Sequence, residues 1–238
     1  MRFLENPSTD PYYNMSFDEW CLSHLDSDDI VFCLWRNRPS VIIGITQVPS
    51  TEVNLEYLRE RGFDLVRRST GGGAVYHDLQ NLNYSFYGPV DQCDSRIVEM
   101  MAGALRKFGV NSQVSGRNDI FAGGLKVSGY ARRVWKNRAL VHGTLMYDVD
   151  IDTLTKVLDT PESKLHRKGV ASVRSRVGNL RQMLPFGSLE DFRAALQEYL
   201  AGGDGEIVLT ESQISEIHRI NDNKYSTPEW INGRFEQQ

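Results

Sequence analysis

The sequence has few cysteines and no long apolar run, and both absences limit what the protein can be. Its 238 residues include only three cysteines, Cys21, Cys33 and Cys93, which are widely spaced and form no C-x-x-C pair. This argues against a disulfide framework or a zinc ribbon and fits a reducing compartment. No window approaches the roughly 18 unbroken apolar residues of a membrane helix. The first residues, MRFLENP, lack the apolar core of a secretory signal, so we expect a cytoplasmic protein.

The sequence also lacks a strong excess of charge and several common catalytic motifs. Its net charge is −4, so no basic field is present that would hold nucleic acid or a membrane surface. No Walker lysine–serine or lysine–threonine pair follows its glycine-rich stretch, and neither G-x-G-x-x-G nor H-E-x-x-H occurs. These absences argue against a phosphate-loop hydrolase, a dinucleotide site and a zinc protease.

The most informative stretch is residues 67–78, which read RRSTGGGAVYHD. Three consecutive glycines allow a sharp turn with bare N–H groups, because no Cβ shields the backbone. Such groups form an anion-binding concavity, and neighbouring arginines add charge in a rigid fork. The stretch therefore predicts a loop that binds phosphate or carboxylate. A tight hairpin turn between two strands is the alternative.

A second stretch, residues 115–133, predicts a short strand, a turn at Gly123–Gly124 and a strand that carries Lys126. A lysine flanked by apolar residues suits an ammonium that meets an anion, because a buried charge needs a partner. The alternative is a solvent-facing lysine on an edge strand. Asn118 and Asp119 could hold magnesium through oxygen, with phosphate completing the shell, or could simply form a turn.

Hydrophobic periodicity predicts an α+β fold, because strands dominate the first 150 residues and helices the remainder. A turn with Asn37 and Pro39 predicts a hairpin between the first two strands. The strand at 81–87 alternates, with polar Asn83 and Ser85 on a face that could meet a ligand. The predicted strands include 31–35, 41–45, 65–66, 81–87 and 141–149, and the predicted helices are 14–26, 53–61, 95–108, 152–158 and 172–184, with two more starting at capping boxes at Ser188 and Thr210.

Two kinds of potentially reactive side chain are ambiguous from the sequence. His77 and His142 each lie at the end or start of a predicted strand. A lone histidine is more often structural than catalytic, and we interpret His142 as structural. Of the cysteines, only Cys93 is expected to be exposed enough to react, and nothing indicates that its pKa is lowered.

Taken together, the motifs resemble the lipoate–protein ligase A family of the biotin/lipoate protein ligase superfamily. The resemblance covers most of the chain. It rests on PYYNMSFDE at 11–19, LWRN at 34–37, RRSTGGGAVYHD at 67–78, then Asn81 with YSF at 84–86, SGRND at 115–119, KVSGYA at 126–131, HGTL at 142–145, and KGVASVRSRVGNL at 168–180. In ITQV at 45–48 the family usually has Arg-x-Gln-Asn.

The resemblance implies one domain, 1–238, with the biotin/lipoate ligase catalytic fold. This fold is a mixed β-sheet flanked by helices, related to class II aminoacyl-tRNA synthetase cores. It also implies an ATP-dependent ligase that uses Mg²⁺ to convert lipoic acid to lipoyl-AMP. A lysine of an acceptor domain, in a 2-oxoacid dehydrogenase complex or the glycine cleavage carrier protein, then receives the lipoyl group. Larger relatives carry an accessory domain beyond the position of Trp230, which we expect to be absent here, and some short relatives need a separate accessory subunit.

The resemblance also assigns expected roles to residues. Lys126 would be catalytic, reaching the carboxylate and then the phosphate. Arg68 would lie at the mixed anhydride, Thr70 would donate a hydrogen bond to the ligand, and Asp119 would bind Mg²⁺. The expected lipoate- and adenylate-binding residues are Arg68, Thr70, Gly71, Gly72, Gly73, Val75, Tyr76, His77, Asn118, Lys126, His142 and Thr144.

Three other functions compete with this one. A lipoyl or octanoyl transferase would use a cysteine thioester, but its relatives place a cysteine near 116–119 or use a Cys-x-His pair, and neither occurs here. Biotin ligation is disfavoured because the second motif block matches the lipoate branch. The third alternative is a partner-dependent subunit that binds lipoyl-AMP but does not form it alone.

Overall fold

The computed structural model describes residues 1–25, 27–116, 119–158, 177–203 and 205–233. In these residues the strands form one sheet of eight and one sheet of three. The strands are β1 (Arg2–Leu4), β2 (Val31–Trp35), β3 (Ser40–Ile43), β4 (Asp64–Arg67), β5 (Val75–His77), β6 (Asn81–Pro89), β7 (Ser112–Ser115), β8 (Asp119–Ala122), β9 (Leu125–Trp135), β10 (Arg138–Met146) and β11 (Glu206–Ile207). The helices are α1 (Pro11–His24), α2 (Pro49–Glu52), α3 (Leu55–Glu60), α4 (Ser95–Lys107), α5 (Ile151–Val157), α6 (Leu189–Ala201), α7 (Glu211–Ile220) and α8 (Pro228–Asn232), with a π-helical turn at Asn221–Tyr225.

Both sheets contain parallel and antiparallel pairs. The large sheet runs β11-β1-β2-β6-β10-β9-β8-β7, and β1 lies parallel to both of its neighbours while the other pairs are antiparallel. In the small sheet, β3 lies parallel to β4 and antiparallel to β5. Helices flank these sheets, so the predicted mixed-sheet α+β fold is confirmed.

Helices cover both faces of the large sheet because alternate strand residues point to opposite sides. On one face, α4 and α6 bury Leu105 and Phe192 against the sheet. On the other, α1 and α7 bury Trp20 and Ile217. The small sheet packs against α3 and α5. The other face of the small sheet, with Ile42, Val66 and Val75, packs in the same cluster as α1, and this junction positions the site described below.

Helix α1 begins earlier than its apolar spacing predicted. Asp10 accepts hydrogen bonds from two backbone N–H groups of the first turn, and Pro11 occupies the first helical position. Both are favourable at a helix start, so the helix begins at Pro11 rather than Asn14 and ends at His24. The predicted capping box at Thr210 is confirmed.

Two predicted hairpins are wrong. β2 pairs with β1 and β6, whereas β3 belongs to the other sheet, so the segment between β2 and β3 crosses from one sheet to the next. Buried Asn37 and a hydrogen bond from the Arg38 N–H to the Thr9 carbonyl (2.8 Å) hold this crossing. The glycine-rich loop is not a hairpin either, because β4 and β5 pair on opposite sides of β3.

Two predicted helices also differ. The helix predicted at 53–61 begins later, at Leu55, because Asn54 caps α3 with its side chain and Val53 is extended. Of the predicted helix at 172–184, residues 172–176 lie outside the described residues, and 177–184 is not helical. There the N–H of Leu180 donates to the Met146 carbonyl (2.8 Å), so this segment follows the end of β10. Most of the third motif block, 168–176, is likewise outside the described residues.

Candidate active site

A cavity lies between the large sheet, the small sheet and α1. It encloses ≈ 650 Å³ of space, which includes solvent at its open mouth. Apolar and polar side chains share its wall, which suits a ligand with an apolar body and a charged end. The wall comprises Met15, Trp35, Ile42, Arg68, Gly72, Gly73, Ala74, Val75, His77, Asn83, Lys126, Gly129, Tyr130, Ala131, His142, Gly143 and Thr144.

The glycine loop, defined here as residues 68–74, connects β4 to β5 across the end of β3. Two positions require glycine. Gly72 has a φ of 99°, which side-chain-bearing residues rarely adopt. A Cβ added to Gly44, just after β3, would lie 2.3 Å from the Gly72 carbonyl oxygen. The loop therefore packs directly on the backbone beneath it.

Arg68 shapes this loop from inside. Its side chain donates to the carbonyls of Ile42 (3.0 Å), Gly71 (2.8 Å) and Gly73 (2.8 Å), with a further contact from Nε to Gly71 (3.2 Å). A guanidinium has five N–H groups, so these bonds leave about one for a ligand. Arg68 is 6 % exposed, and burial lowers its pKa to about 10. Gly71 contributes its carbonyl to Arg68 and is not among the wall residues.

The neighbouring Arg67 ties the loop to the C-terminal part of the chain. It donates to the carbonyls of Gly44 (3.0 Å) and Ile231 (2.9 Å). In return, the Trp230 indole donates to the Arg67 carbonyl (2.9 Å). Helix α8 therefore braces the base of the glycine loop, a role for Arg67 that the sequence analysis missed.

A chain of buried polar groups reaches the loop from α1. The Asp18 carboxylate lies 2.7 Å from His142 Nδ1, and His142 Nε2 lies 2.8 Å from the Thr70 hydroxyl. Asp18 also accepts from Ser85 (2.8 Å) and Tyr87 (2.5 Å). Thr70 itself is fully buried and does not line the cavity, whereas His142 does.

The tautomer of His77 follows from its neighbours. Asn14 Nδ2 faces the carbonyls of Ser8 (3.1 Å) and Arg36 (3.0 Å), so this nitrogen is a donor and Asn37 presents Oδ1 to it (2.8 Å). Asn37 Nδ2 then donates to His77 Nδ1 (3.1 Å). Burial, followed by the charges of nearby groups, lowers the pKa of His77 to about 3. The ring is therefore neutral, with its proton on Nε2.

His77 Nε2 is a buried donor without a partner in the part of the chain that the structure describes. His77 lines the cavity and is 4 % exposed. Leaving such a donor unpaired costs about 1–3 kcal/mol. A bound ligand that accepts a hydrogen bond from this nitrogen would recover that free energy.

Lys126 lies on the opposite side of the cavity, on β9. Its ammonium pairs with Asp119 on β8 at 2.7 Å, and the side chains are 36 % and 26 % exposed. The lysine therefore has a carboxylate partner and an open approach, rather than a purely solvent-facing position. Asn118 lies outside the described residues. Among the residues that are described, no group of three His, Cys, Asp or Glu side chains forms a metal site.

Of the remaining predicted residues, Val75 and Thr144 face the cavity and Tyr76 does not. Val75 and Thr144 lie on the cavity wall, and the Thr144 hydroxyl accepts from the Gly129 N–H (3.2 Å). Tyr76 points the other way and packs against Phe63, with ring centroids 5.7 Å apart. The sequence placed all three in one pocket, but the two-residue period of β5 sends Tyr76 to the far face.

Several wall residues were not among the predicted binding residues. Trp35, Met15 and Ile42 supply apolar surface, and Asn83 supplies an amide. The alternation within β6 did indicate that Asn83 could face a ligand. Trp35 was visible only as part of the LWRN motif, and its place beside His77, with centroids 6.3 Å apart, depends on the crossing between the sheets.

The expectation that Cys93 is exposed is wrong. Its side chain is fully buried beneath α4, where its thiol donates to the Phe86 carbonyl (3.2 Å). Burial raises its pKa to about 11. Cys21 and Cys33 are also free and buried, and burial raises the pKa of each thiol well above its usual value. No cysteine lines the cavity.

Comparison with known proteins identifies the family. Residues 10–201 match the family described as the lipoyl protein ligase A/B catalytic domain. The chain belongs to this family. The matched residues run from α1 to α6, so the lipoyl protein ligase family match includes every element of the cavity wall.

Individual relatives agree with the family match. The lipoate–protein ligase LplJ of Bacillus subtilis is 39 % identical over 98 % of this chain and 74 % of the relative. A bipartite lipoate protein ligase from Thermoplasma acidophilum, described with its E2 lipoyl domain, superposes with a TM-score of 0.84 at 32 % identity, covering 100 % of this chain and 98 % of that chain. A T. acidophilum structure with bound lipoic acid gives 0.82 at 31 % identity, covering 99 % of each chain.

A structure of lipoate–protein ligase A bound with ATP also matches, with a TM-score of 0.82 at 30 % identity, covering 98 % of this chain and 99 % of that chain. The fold of this lipoyl protein ligase family member is therefore shared along nearly its whole length. Among its described residues, no helix is long and apolar enough to cross a membrane.

Proposed function

We propose that this protein is an ATP-dependent lipoate–protein ligase. In the first step, a carboxylate oxygen of lipoic acid attacks the α-phosphorus of ATP. The new O–P bond forms lipoyl-AMP, and the bond to pyrophosphate breaks. In the second step, a neutral lysine amine of an acceptor protein attacks the acyl carbon, the amide forms, and AMP leaves with the anhydride electrons.

The observation that carries this proposal is the position of Lys126 across the cavity from the glycine loop. The Lys126 ammonium has three N–H donors, and one of them is directed at the Asp119 carboxylate (2.7 Å). The lysine can therefore donate to the carboxylate before the first step and to the phosphate during both steps. A preorganised donor aimed at developing charge is typically among the larger contributions to catalysis. We assign Lys126 this role.

The apolar part of the wall supports an acyl ligand. Trp35, Met15, Ile42 and Val75 line the cavity near His77, whose Nε2–H is unpaired in the described structure. Ligand sites commonly combine such apolar surface with a few placed polar groups. We propose that the acyl chain lies against this surface while Gly72 and Gly73 approach the adenylate. The relatives with lipoic acid and with ATP bound support the same two ligand classes.

Magnesium fits the site in a limited way. Asp119 has one carboxylate oxygen paired with Lys126, which leaves the other available. Mg²⁺ is commonly bound by one or two carboxylates together with substrate phosphates and water. Asp119 would hold the ion, which would neutralise charge on the ATP phosphates. Asp119 would also orient Lys126 towards the cavity.

We propose a lipoyl domain as the acceptor, in a 2-oxoacid dehydrogenase complex or the glycine cleavage carrier. The T. acidophilum relative described with its E2 lipoyl domain supports this class of partner. That relative is bipartite and matches this chain along 98 % of its own length. This favours a second candidate, in which adenylate formation here requires a separate accessory polypeptide.

A cysteine-dependent acyl transferase has no support, because all three thiols are buried and none lines the cavity. The deciding experiment incubates the purified chain with ATP, magnesium and lipoate, and measures pyrophosphate. An acceptor lipoyl domain is then added and its mass followed. Lipoate-dependent pyrophosphate release without a partner supports the complete ligase, and release only after a candidate accessory polypeptide is added supports the second candidate. ATP-independent transfer that alkylation blocks would contradict both.

A further inference from the structure

A chain of hydrogen bonds joins α1 to the glycine loop through the interior of the protein. It runs from Asp18 Oδ2 to His142 Nδ1 (2.7 Å) and from His142 Nε2 to the Thr70 hydroxyl (2.8 Å). All three residues are buried. We call Asp18, His142 and Thr70 the buried relay. Asp18 and Thr70 are on different elements, and the imidazole of His142 connects them.

The direction of the relay follows from Asp18. Its other oxygen, Oδ1, already accepts from the hydroxyls of Ser85 (2.8 Å) and Tyr87 (2.5 Å). A carboxylate is acceptor-only, so His142 donates to Oδ2 through Nδ1–H. If the imidazole is neutral, Nε2 is an acceptor and the Thr70 hydroxyl donates to it. In that tautomer the hydroxyl proton of Thr70 points inward, towards His142 rather than towards a ligand.

The relay ends where the loop needs support. Thr70 directly precedes Gly71, and its carbonyl accepts from the Ile45 N–H (2.9 Å). From the other side, Arg68 holds the carbonyls of Gly71 and Gly73. Three consecutive glycines have large conformational freedom to lose, so contacts of this kind hold the loop conformation. The contacts of Arg68 are local, while the relay connects the loop to α1.

We propose that Asp18 is a positioning residue, which acts through His142 to fix the glycine loop in its ligand-binding conformation. This inference rests on the proposed ligase function and deepens it. Asp18 does not touch the ligand, because it does not line the cavity. Its effect passes through the tautomer of His142, in the way that a partner on the far nitrogen sets which nitrogen of a histidine carries the proton.

A double-mutant cycle tests the inference. Asp18→Asn and Thr70→Val each break the relay at one end, and each is expected to lower kcat for adenylate formation roughly 10–100-fold, as for other partners that orient a functional histidine. The KM for lipoate should change less, because the apolar wall residues that we assign to the acyl chain, Trp35, Met15 and Ile42, are not part of the relay. The double variant should be no slower than the slower of the two single variants, since both substitutions interrupt the same series of hydrogen bonds.

Ser112→Ala is the matched control, because Ser112 is also buried and its hydroxyl donates to the Ala102 carbonyl (2.8 Å), away from the relay. A general loss of stability would make all pairs of substitutions equivalent, whereas the relay predicts that the effects of Ser112→Ala and Thr70→Val multiply. If Asp18→Asn and Thr70→Val also multiply, the inference is overturned. If Asp18→Asn does not fold, the comparison of Thr70→Val with Thr70→Ser decides, because serine retains the hydroxyl and should recover most of the rate.

A second readout does not depend on activity. The ¹⁵N shifts of the imidazole nitrogens report which nitrogen carries the proton. In the wild-type protein we expect the proton of His142 on Nδ1 and that of His77 on Nε2, so each ring is a reference for the other. Asp18→Asn should change the pattern of His142 and leave that of His77. An unchanged His142 pattern overturns the inference. If the wild-type chain forms no adenylate, the ligase proposal fails separately, while the imidazole shifts still test the relay.

Discussion

The two sides of the cavity hold their cations in opposite ways. On the glycine-loop side, Arg68 is 6 % exposed and donates to three backbone carbonyls of its own surroundings. On the other side, Lys126 is 36 % exposed and has one carboxylate partner at 2.7 Å. Both residues were expected at the reacting phosphate, but Arg68 has about one N–H left for it, whereas Lys126 has about two.

This difference assigns the shape of the glycine loop to Arg68 and the charge offered to a ligand to Lys126. Arginine presents a planar fork that fixes several acceptors at once, whereas lysine is a compact charge on a flexible stem. Arg68 therefore suits a constant structural task, and Lys126 suits a ligand whose charge moves from a carboxylate to a phosphate during the reaction. Substitutions that exchange or remove these properties test the comparison.

The largest effect is expected from Lys126→Ala. Removing a preorganised donor typically raises the barrier by about 3–4 kcal/mol, so adenylate formation should fall by at least two orders of magnitude. Pyrophosphate release measures the rate, and thermal unfolding should show that the fold is retained. Lys107→Ala, an exposed lysine at the end of α4, is the matched control. A Lys126→Ala protein with near wild-type rate would show that the assignment is wrong.

Arg68→Lys tests the structural side. A lysine keeps the charge but not the fork, so the carbonyls of Gly71 and Gly73 cannot both be satisfied as they are now. We expect the free energy of unfolding to fall by about 3 kcal/mol, since each buried group left unpaired costs about 1–3 kcal/mol. Urea denaturation measures the change. Arg59→Lys, at an exposed arginine in α3, should change it very little. Equal effects at both positions would contradict the shaping role.

Gly44→Ala tests the packing beneath the loop. The new Cβ would lie 2.3 Å from the Gly72 carbonyl, and overpacking of this kind typically costs about 1–3 kcal/mol. Unfolding stability and lipoate binding should both decrease. Gly187→Ala is the control, because nothing lies within 4 Å of a Cβ built there. If the two alanines behave alike, the loop does not rest on Gly44 as described.

His77→Gln should change how stability depends on pH. The folded pKa of His77 is about 3, below its usual value of 6.5. The unfolded chain therefore takes up this proton first, and stability is lost as the pH falls from 6.5 towards 3. At pH 5 this contribution is about 2 kcal/mol. Between pH 7.5 and pH 5, the free energy of unfolding of the variant, measured by urea denaturation, should fall by about 2 kcal/mol less than that of the wild type. His24→Gln, at an exposed histidine, should follow the wild type, and an unchanged profile for His77→Gln would contradict the buried neutral ring.

Local signals in the sequence were reliable where the determinants are local. The capping box at Thr210 and the helix predicted at 95–108, which the structure has at Ser95–Lys107, need only neighbouring residues. Ser188 does begin a helix and accepts from the Asp191 N–H, but the Asp191 side chain accepts from the Ser188 hydroxyl (2.6 Å) and so does not complete the predicted capping box. The partner of Thr70 could not be predicted in this way, because His142 is 72 positions away, and Asp18 is 124 positions from His142. The same limit explains the false hairpin between β2 and β3, which assumed that consecutive strands pair.

The site itself was predicted in part. Motifs placed Lys126, His77, Val75 and Thr144 at one site, and all four line the cavity. The motifs did not indicate which side-chain atoms already have hydrogen-bond partners in the folded protein. Arg68 was therefore assigned to the ligand, although most of its donors are directed at backbone carbonyls around it, including those of Gly71 and Gly73. Hydrogen-bond partners are a property of the folded interior, and residue types alone do not determine them.

The burial of all three thiols has a chemical consequence for a lipoyl ligand. Lipoic acid carries a cyclic disulfide, and a thiolate that reaches it would open the ring and retain the substrate as a mixed disulfide. Cys33 lies on β2, close to the cavity-facing Trp35, yet burial and the neighbouring Asp18 raise its pKa well above the usual value. An enclosed, protonated thiol does not attack. In the proposed ligase, this burial would keep the protein's own thiols from exchanging with the disulfide of the ligand.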